Sequence, residues 1–135
     1  MKNRTIFVAC DTSNVKKIKK IINYTRSIKH KIIPKFGLQF FYSKLGRRFL
    51  EKIKIDFWLD LKINDIPQTA TLAIDSLKDL KKCKYITVHA NGGLEMLKAV
   101  KKMASKTNKN LKVLGVTVLT SLDNKSLREL GHTKN

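Results

Sequence analysis

Acidic residues are scarce in this chain: 10 Asp and Glu stand against 29 Lys and Arg, a formal charge of +19 over 135 residues. Cysteine is scarcer still, with Cys10 and Cys83 alone. Two distant thiols make no disulfide framework and lack metal-ligand spacing, so reduced, buried thiols are expected and no metal site. No apolar run approaches the roughly 20 residues that span a bilayer, so no membrane helix is expected. The apolar run Ile6-Phe7-Val8-Ala9-Cys10 is too short for the h-region of a signal peptide. A cytoplasmic protein follows. Only two prolines and six glycines are present, with no linker or low-complexity stretch, so residues 1–135 read as one domain. At 42% hydrophobic the chain can build a core.

The excess of positive charge invites a nucleic-acid reading. Its distribution argues against a dedicated one. Lysine dominates, and runs such as Lys16-Lys17-Ile18-Lys19-Lys20 carry apolar residues at helical spacing, as solvated helix faces do. No helix-turn-helix, zinc finger or aromatic-rich RNA-binding motif is present. A basic surface also attracts a phosphorylated, anionic small molecule.

What is abundant is alternation of strand and helix. Strands are expected over Ile6–Cys10, Ile32–Phe36, Phe57–Leu61, Tyr85–His89 and Leu111–Leu119. Helices are expected over Val15–Ile28, Ser43–Ile53, Ile66–Leu80, Leu94–Ser105 and Asn124–Leu130. Strands rich in Ile, Val and Phe without clean alternation point to burial on both faces. A helix after each strand implies parallel pairing through right-handed crossovers. The fold class is α/β, about five parallel βα units of the β/α (TIM) barrel type. A complete eight-fold barrel takes about 200 to 250 residues, so the C-terminal strands are expected to be missing.

Each strand ends in polar residues, and parallel strands present those ends at one rim, where α/β active sites form. Asp11 follows strand one, Lys35 lies in strand two, His89 ends strand four, and Thr120-Ser121 follows strand five. Strand three runs into Asp60, Lys62 and Asp65, an Asp-x-Lys-x-x-Asp pattern. Alternation places Asp60 and Lys62 on one strand face. Charges there are costly unless paired, so the pattern reads as chemistry or as a structural ion-pair network. Flanking carboxylates favour a protonated lysine able to act as an acid. A metal fits poorly, because a charged lysine repels it. Thr12 or Ser13 reads as a helix cap, and Gly92-Gly93 admits close backbone approach. His30 and His132 carry no argument.

Asp60-Leu61-Lys62-Ile63-Asn64-Asp65-Ile66-Pro67-Gln68-Thr69, Thr87-Val88-His89-Ala90-Asn91-Gly92-Gly93 and Thr117-Val118-Leu119-Thr120-Ser121 together resemble the orotidine 5′-phosphate decarboxylase family. Lys35-Phe36-Gly37 and Ala9-Cys10-Asp11 precede them in the family's order. The Asp-x-Lys-x-x-Asp core is shared with ketogulonate-phosphate decarboxylases and hexulose-phosphate synthases. Ile66-Pro67-x-Thr69 and Leu119-Thr120-Ser121 favour the orotidylate branch.

The resemblance implies cofactor-free loss of CO2 from orotidine monophosphate, giving UMP in pyrimidine biosynthesis. Lys62 would donate the proton to C6, Asp60 would lie beside the leaving carboxylate, and Lys35 would complete the array and contact the ribose. Asp65 and Thr69 would reach the active site of a partner subunit in a homodimer, and Ile66 would bind substrate. Asp11 would hold a ribose hydroxyl and Thr120 would line the base pocket. The family grips phosphate with later loops, which fall beyond Asn135, so the chain alone is expected to be impaired. The rival readings are a sister sugar-phosphate enzyme and a non-catalytic basic nucleic-acid-binding module.

Overall fold

The structure is a computed structural model that describes residues 4–132. β-Branched and aromatic runs form five strands: β1 (Thr5–Ala9), β2 (Lys31–Gly37), β3 (Phe57–Ile63), β4 (Cys83–His89) and β5 (Lys112–Val116). Helices α1 (Val15–Thr25), α2 (Leu38–Phe41), α3 (Gly46–Lys52), α4 (Pro67–Asp75), α5 (Gly93–Thr107) and α6 (Asn124–Glu129) connect and follow them. All neighbouring strands are parallel, in the order β1-β2-β3-β4-β5. A sequential order differs from that of a doubly wound sheet, which reverses at a switch point, and is that of a β/α barrel.

The two faces of the sheet are unlike. Phe36, Phe57, Leu59, Ile86 and Val88 point to the helices and pack against Ile18, Leu50, Ile74, Met96 and Val100 in one buried core. The opposite face carries Lys35, Trp58, Tyr85 and Lys112, aligned by strand register. Phe7 packs edge-on against Trp58 and Tyr85, with centroids at 4.9 and 5.2 Å, yet stays 41% exposed. This is the face that lines the interior of a closed barrel.

The element ends differ from expectation for local reasons. Asn14, not Thr12 or Ser13, caps α1 by accepting from the Lys17 amide, while Thr12 braces Asn14. The helix stops at Thr25 because Ile28 finds no core to join and remains 44% exposed. Pro67 opens α4. The helix ends at Asp75, and turns closed by Leu77 to Ile74 and Leu80 to Leu77 bonds still bury both leucines. The expected helix over Ser43–Ile53 is shortened to α3, Gly46–Lys52, and a separate short helix, α2, precedes it. Phe40 is buried against Phe36 from the short α2, and a turn through Ser43 leads to α3. β5 ends at Val116, leaving Thr117 to Leu119 in the following loop.

Candidate active site

The rim at the C-terminal ends of β2, β3 and β4 holds a connected set of charges. Asp60 is the hub. One carboxylate oxygen accepts from Lys35 Nζ at 3.0 Å; the other accepts from Lys62 Nζ at 2.9 Å and from the Thr87 hydroxyl at 2.9 Å. Lys35 continues the chain to Asp11 Oδ1 at 3.7 Å. The order Asp11–Lys35–Asp60–Lys62 thus alternates in sign across three strand ends. Side-chain exposure is 12% for Asp60, 19% for Lys35 and 34% for Lys62, against 66% for Asp11. Burial pushes the Asp60 carboxyl up, but hydrogen bonds from Lys62, Lys35 and Thr87 outweigh it and hold the group below the usual carboxylate range. The Lys35 ammonium also lies 5.8 Å from the Trp58 ring centroid.

Simple strand alternation does not bring Asp60 and Lys62 together. Leu59 pairs with Ile86 and Ile63 with Val88, so Asp60, Leu61 and Lys62 all oppose Thr87. β3 therefore bulges, and Lys62 takes a left-handed backbone with φ 50°. The Lys62 amide, displaced from the ladder, donates to Thr87 Oγ1 at 2.9 Å. Nothing in the sequence signals this role for Thr87, because threonine is an ordinary strand residue.

Asp65 stands apart from this set within the chain. It is exposed, and its Oδ1 accepts from the Ile66 amide at 2.7 Å. Asp65 and Thr69 share a recess of about 360 Å³ with Lys62, Phe41 and Tyr42. Ile66, just before α4, is 65% exposed. A second recess of about 180 Å³ is lined by Asn64, His89, Asn91, Thr117 and His132. His132 thus lines the same recess as His89, a placement its sequence context did not signal. Thr120 lies on an exposed turn and does not line that recess. Among the described residues, no three His, Cys, Asp or Glu side chains gather as a metal site requires, and no helix is long and apolar enough to cross a membrane.

A sequentially wound parallel sheet with ionic chemistry at its C-terminal rim defines a protein of the β/α-barrel class. Residues 4–135 match the orotidine 5′-phosphate decarboxylase / HUMPS family, and the chain belongs to it. It is 35% identical over 129 residues to the orotidine 5′-phosphate decarboxylase of Wolbachia pipientis, covering 93% of this chain and 54% of that one. The crystal structure of the Lactobacillus acidophilus orotidine 5′-phosphate decarboxylase superposes with a TM-score of 0.84 at 29% identity, over 98% of this chain and 61% of that chain. The Methanocaldococcus jannaschii orotidine 5′-monophosphate decarboxylase, complexed with the inhibitor BMP, gives 0.71 at 25% identity, over 93% and 56%. The chain spans about half the length of the curated relatives it matches.

Proposed function

We propose that this chain carries the charge array of a cofactor-independent orotidine 5′-phosphate decarboxylase, a carboxy-lyase acting in the cytoplasm. The observation that carries the reading is the ordered Asp11–Lys35–Asp60–Lys62 set, with Asp60 bridging two ammonium groups. In the proposed reaction the bond between C6 and the carboxylate of orotidine monophosphate breaks and CO2 departs. The electron pair left on C6 takes a proton from the Lys62 ammonium, giving UMP. Preorganised cations beside the forming carbanion lower the barrier without an electron sink. Asp60 lies beside the leaving carboxylate, Lys35 and Asp11 hold the ribose, and Thr120 contacts the base from its turn.

In this reading Ile66 binds substrate, and Asp65 and Thr69 serve a second subunit. Their exposure supports it, as do Leu72 at 61% on α4 itself and Tyr42 at 77% just after α2. Binding the remote phosphate helps lower the barrier at the reacting carbon. That grip is assigned to segments the longer relatives have beyond the matched half.

The test is release of CO2 from carboxyl-labelled orotidine monophosphate. It compares the 135-residue chain with a version extended by the corresponding C-terminal segment of the Wolbachia relative. Turnover by the extended version, lost by at least about a thousandfold in Lys62→Ala, is expected. Near-normal turnover in that variant removes the lysine from the mechanism. An extended version that ignores orotidine monophosphate yet acts on a sugar phosphate moves the chain to the sister branch. Sedimentation of the same samples reads the dimer directly.

A further inference from the structure

We infer that Thr87 is a positioning residue for the Asp60–Lys62 pair: its hydroxyl fills the bulge of β3, holding the left-handed Lys62 backbone and the Asp60 carboxylate in one arrangement. Three residues of β3 face this single residue of β4, so the ladder has no backbone partner for the Lys62 amide at that point. Thr87 Oγ1 accepts that amide at 2.9 Å and donates its own proton to Asp60 Oδ1 at 2.9 Å. The same carboxylate oxygen accepts from Lys62 Nζ at 2.9 Å. One hydroxyl thus ties the backbone of the lysine to the carboxylate that its side chain binds, closing a loop of three hydrogen bonds.

Two further observations support a positioning role. Thr87 is 2% exposed, the one buried polar residue among the described residues, so its hydroxyl has no water to fall back on. Lys62 is the only described residue other than glycine with positive φ, a conformation that persists when its surroundings over-determine it. A valine at position 87 would fill the same space, so packing alone does not require a hydroxyl here.

The catalytic arm of this inference rests on the decarboxylase reading; the structural arm does not. The test compares Thr87→Val and Thr87→Ser in the full chain. Exchange of the Lys62 amide and the titration midpoint of Asp60 are followed by NMR. The groups facing Asp60 are Lys35, Lys62 and Thr87, with Asp11 beyond Lys35, and only Thr87 is altered.

Thr87→Val is expected to speed Lys62 amide exchange about ten- to hundredfold and to raise the Asp60 midpoint, with Ile86 exchange unchanged. Thr87→Ser is expected to restore both. In the extended version, Thr87→Val lowers kcat by a similar factor with KM unchanged, and shifts the acid limb of the pH profile upward. Wild-type exchange and titration in Thr87→Val, or Thr87→Ser behaving as Val does, overturns the inference. Should Val fail to fold, Thr87→Ala against Thr87→Ser decides on the same readouts. Absence of turnover in every version, wild type included, counts against the decarboxylase reading and leaves the NMR result standing.

Discussion

Asp60→Asn isolates the charge at the centre of the rim. Asparagine has the same shape and keeps an acceptor oxygen, so packing is preserved while the negative charge is removed. Asp60 now separates two ammonium groups at 3.0 and 2.9 Å, and Asp11, 3.7 Å from Lys35 and 66% exposed, is a weak substitute. Gross attraction for each pair at about 3 Å is about 5 kcal/mol at an effective dielectric of about 20. Desolvation offsets much of that. Removing one partner of a fully buried pair costs about 3–5 kcal/mol. Lys62 is a third exposed, so the figure is discounted for solvent screening to about 2–3 kcal/mol.

The assay is urea unfolding at pH 7, where such a loss lowers the midpoint by about 1–1.5 M for a domain of this size. A second readout is the pH dependence. The folded Asp60 pKa is depressed, so its contribution is fully present above the unfolded value of about 3.9 and is lost as pH falls through the folded value. Wild type therefore loses this increment below about pH 4, and the variant lacks it at every pH. A variant within about 0.5 kcal/mol of wild type at pH 7, or more stable than it, refutes the bridge as a source of stability.

Phe36→Ala removes a fully buried ring packed 4.9 Å from Phe40 and 5.9 Å from Phe57, and is expected to cost about 3–5 kcal/mol by urea unfolding. A loss under about 1 kcal/mol contradicts that packing. Gly46→Ala drives a Cβ into the Phe40 carbonyl and is expected to destabilise by at least about 2 kcal/mol. Gly115→Ala, with nothing within 4 Å, is the control and should stay within about 0.5 kcal/mol. Burial, aided by Asp11, pushes the Cys10 thiol up to about 11, and burial pushes Cys83 up to about 12. Neither should alkylate with iodoacetamide at pH 8 until urea unfolds the chain; native-state labelling at the rate of a free thiol contradicts their burial.

The five strands and their parallel order were legible because Ile, Val and Phe cluster where the sheet needs them and turn residues fall between. Lys35, Asp60 and Lys62 stood out because charges in apolar strands demand partners. What escaped was local backbone. α2 follows Gly37 directly, and its four residues Leu38–Phe41 are too few to show a period. The bulge at Lys62 was invisible because a left-handed residue in a strand leaves no mark in the apolar pattern. Within the chain, the bulge and the turn into α4 leave Lys62 with Asp60, and Asp65 with the Ile66 amide, a partition the Asp-x-Lys-x-x-Asp spacing alone does not show.

The same geometry separates folding from electrostatic strength. The core between sheet and helices is assembled from residues of β2 to β4 and of α1 to α5, with Cys10 and Leu111 beside β1 and β5, so it does not draw on the opposite face. The charge array sits on that opposite face, where Lys62 and Asp11 still meet water. At a separation of about 4 Å, an ion pair is worth about 1 kcal/mol in bulk water but about 4 kcal/mol at an effective dielectric of about 20. Whatever covers this face therefore strengthens an array whose arrangement is already set by Thr87 and the β3 bulge. The fold is fixed by the core on the helix-backed side, and both the arrangement and the field strength of the array are set on the other. Variants of Phe36 or Gly46 should then act through stability, and changes in the cover through the rate of the proposed decarboxylation.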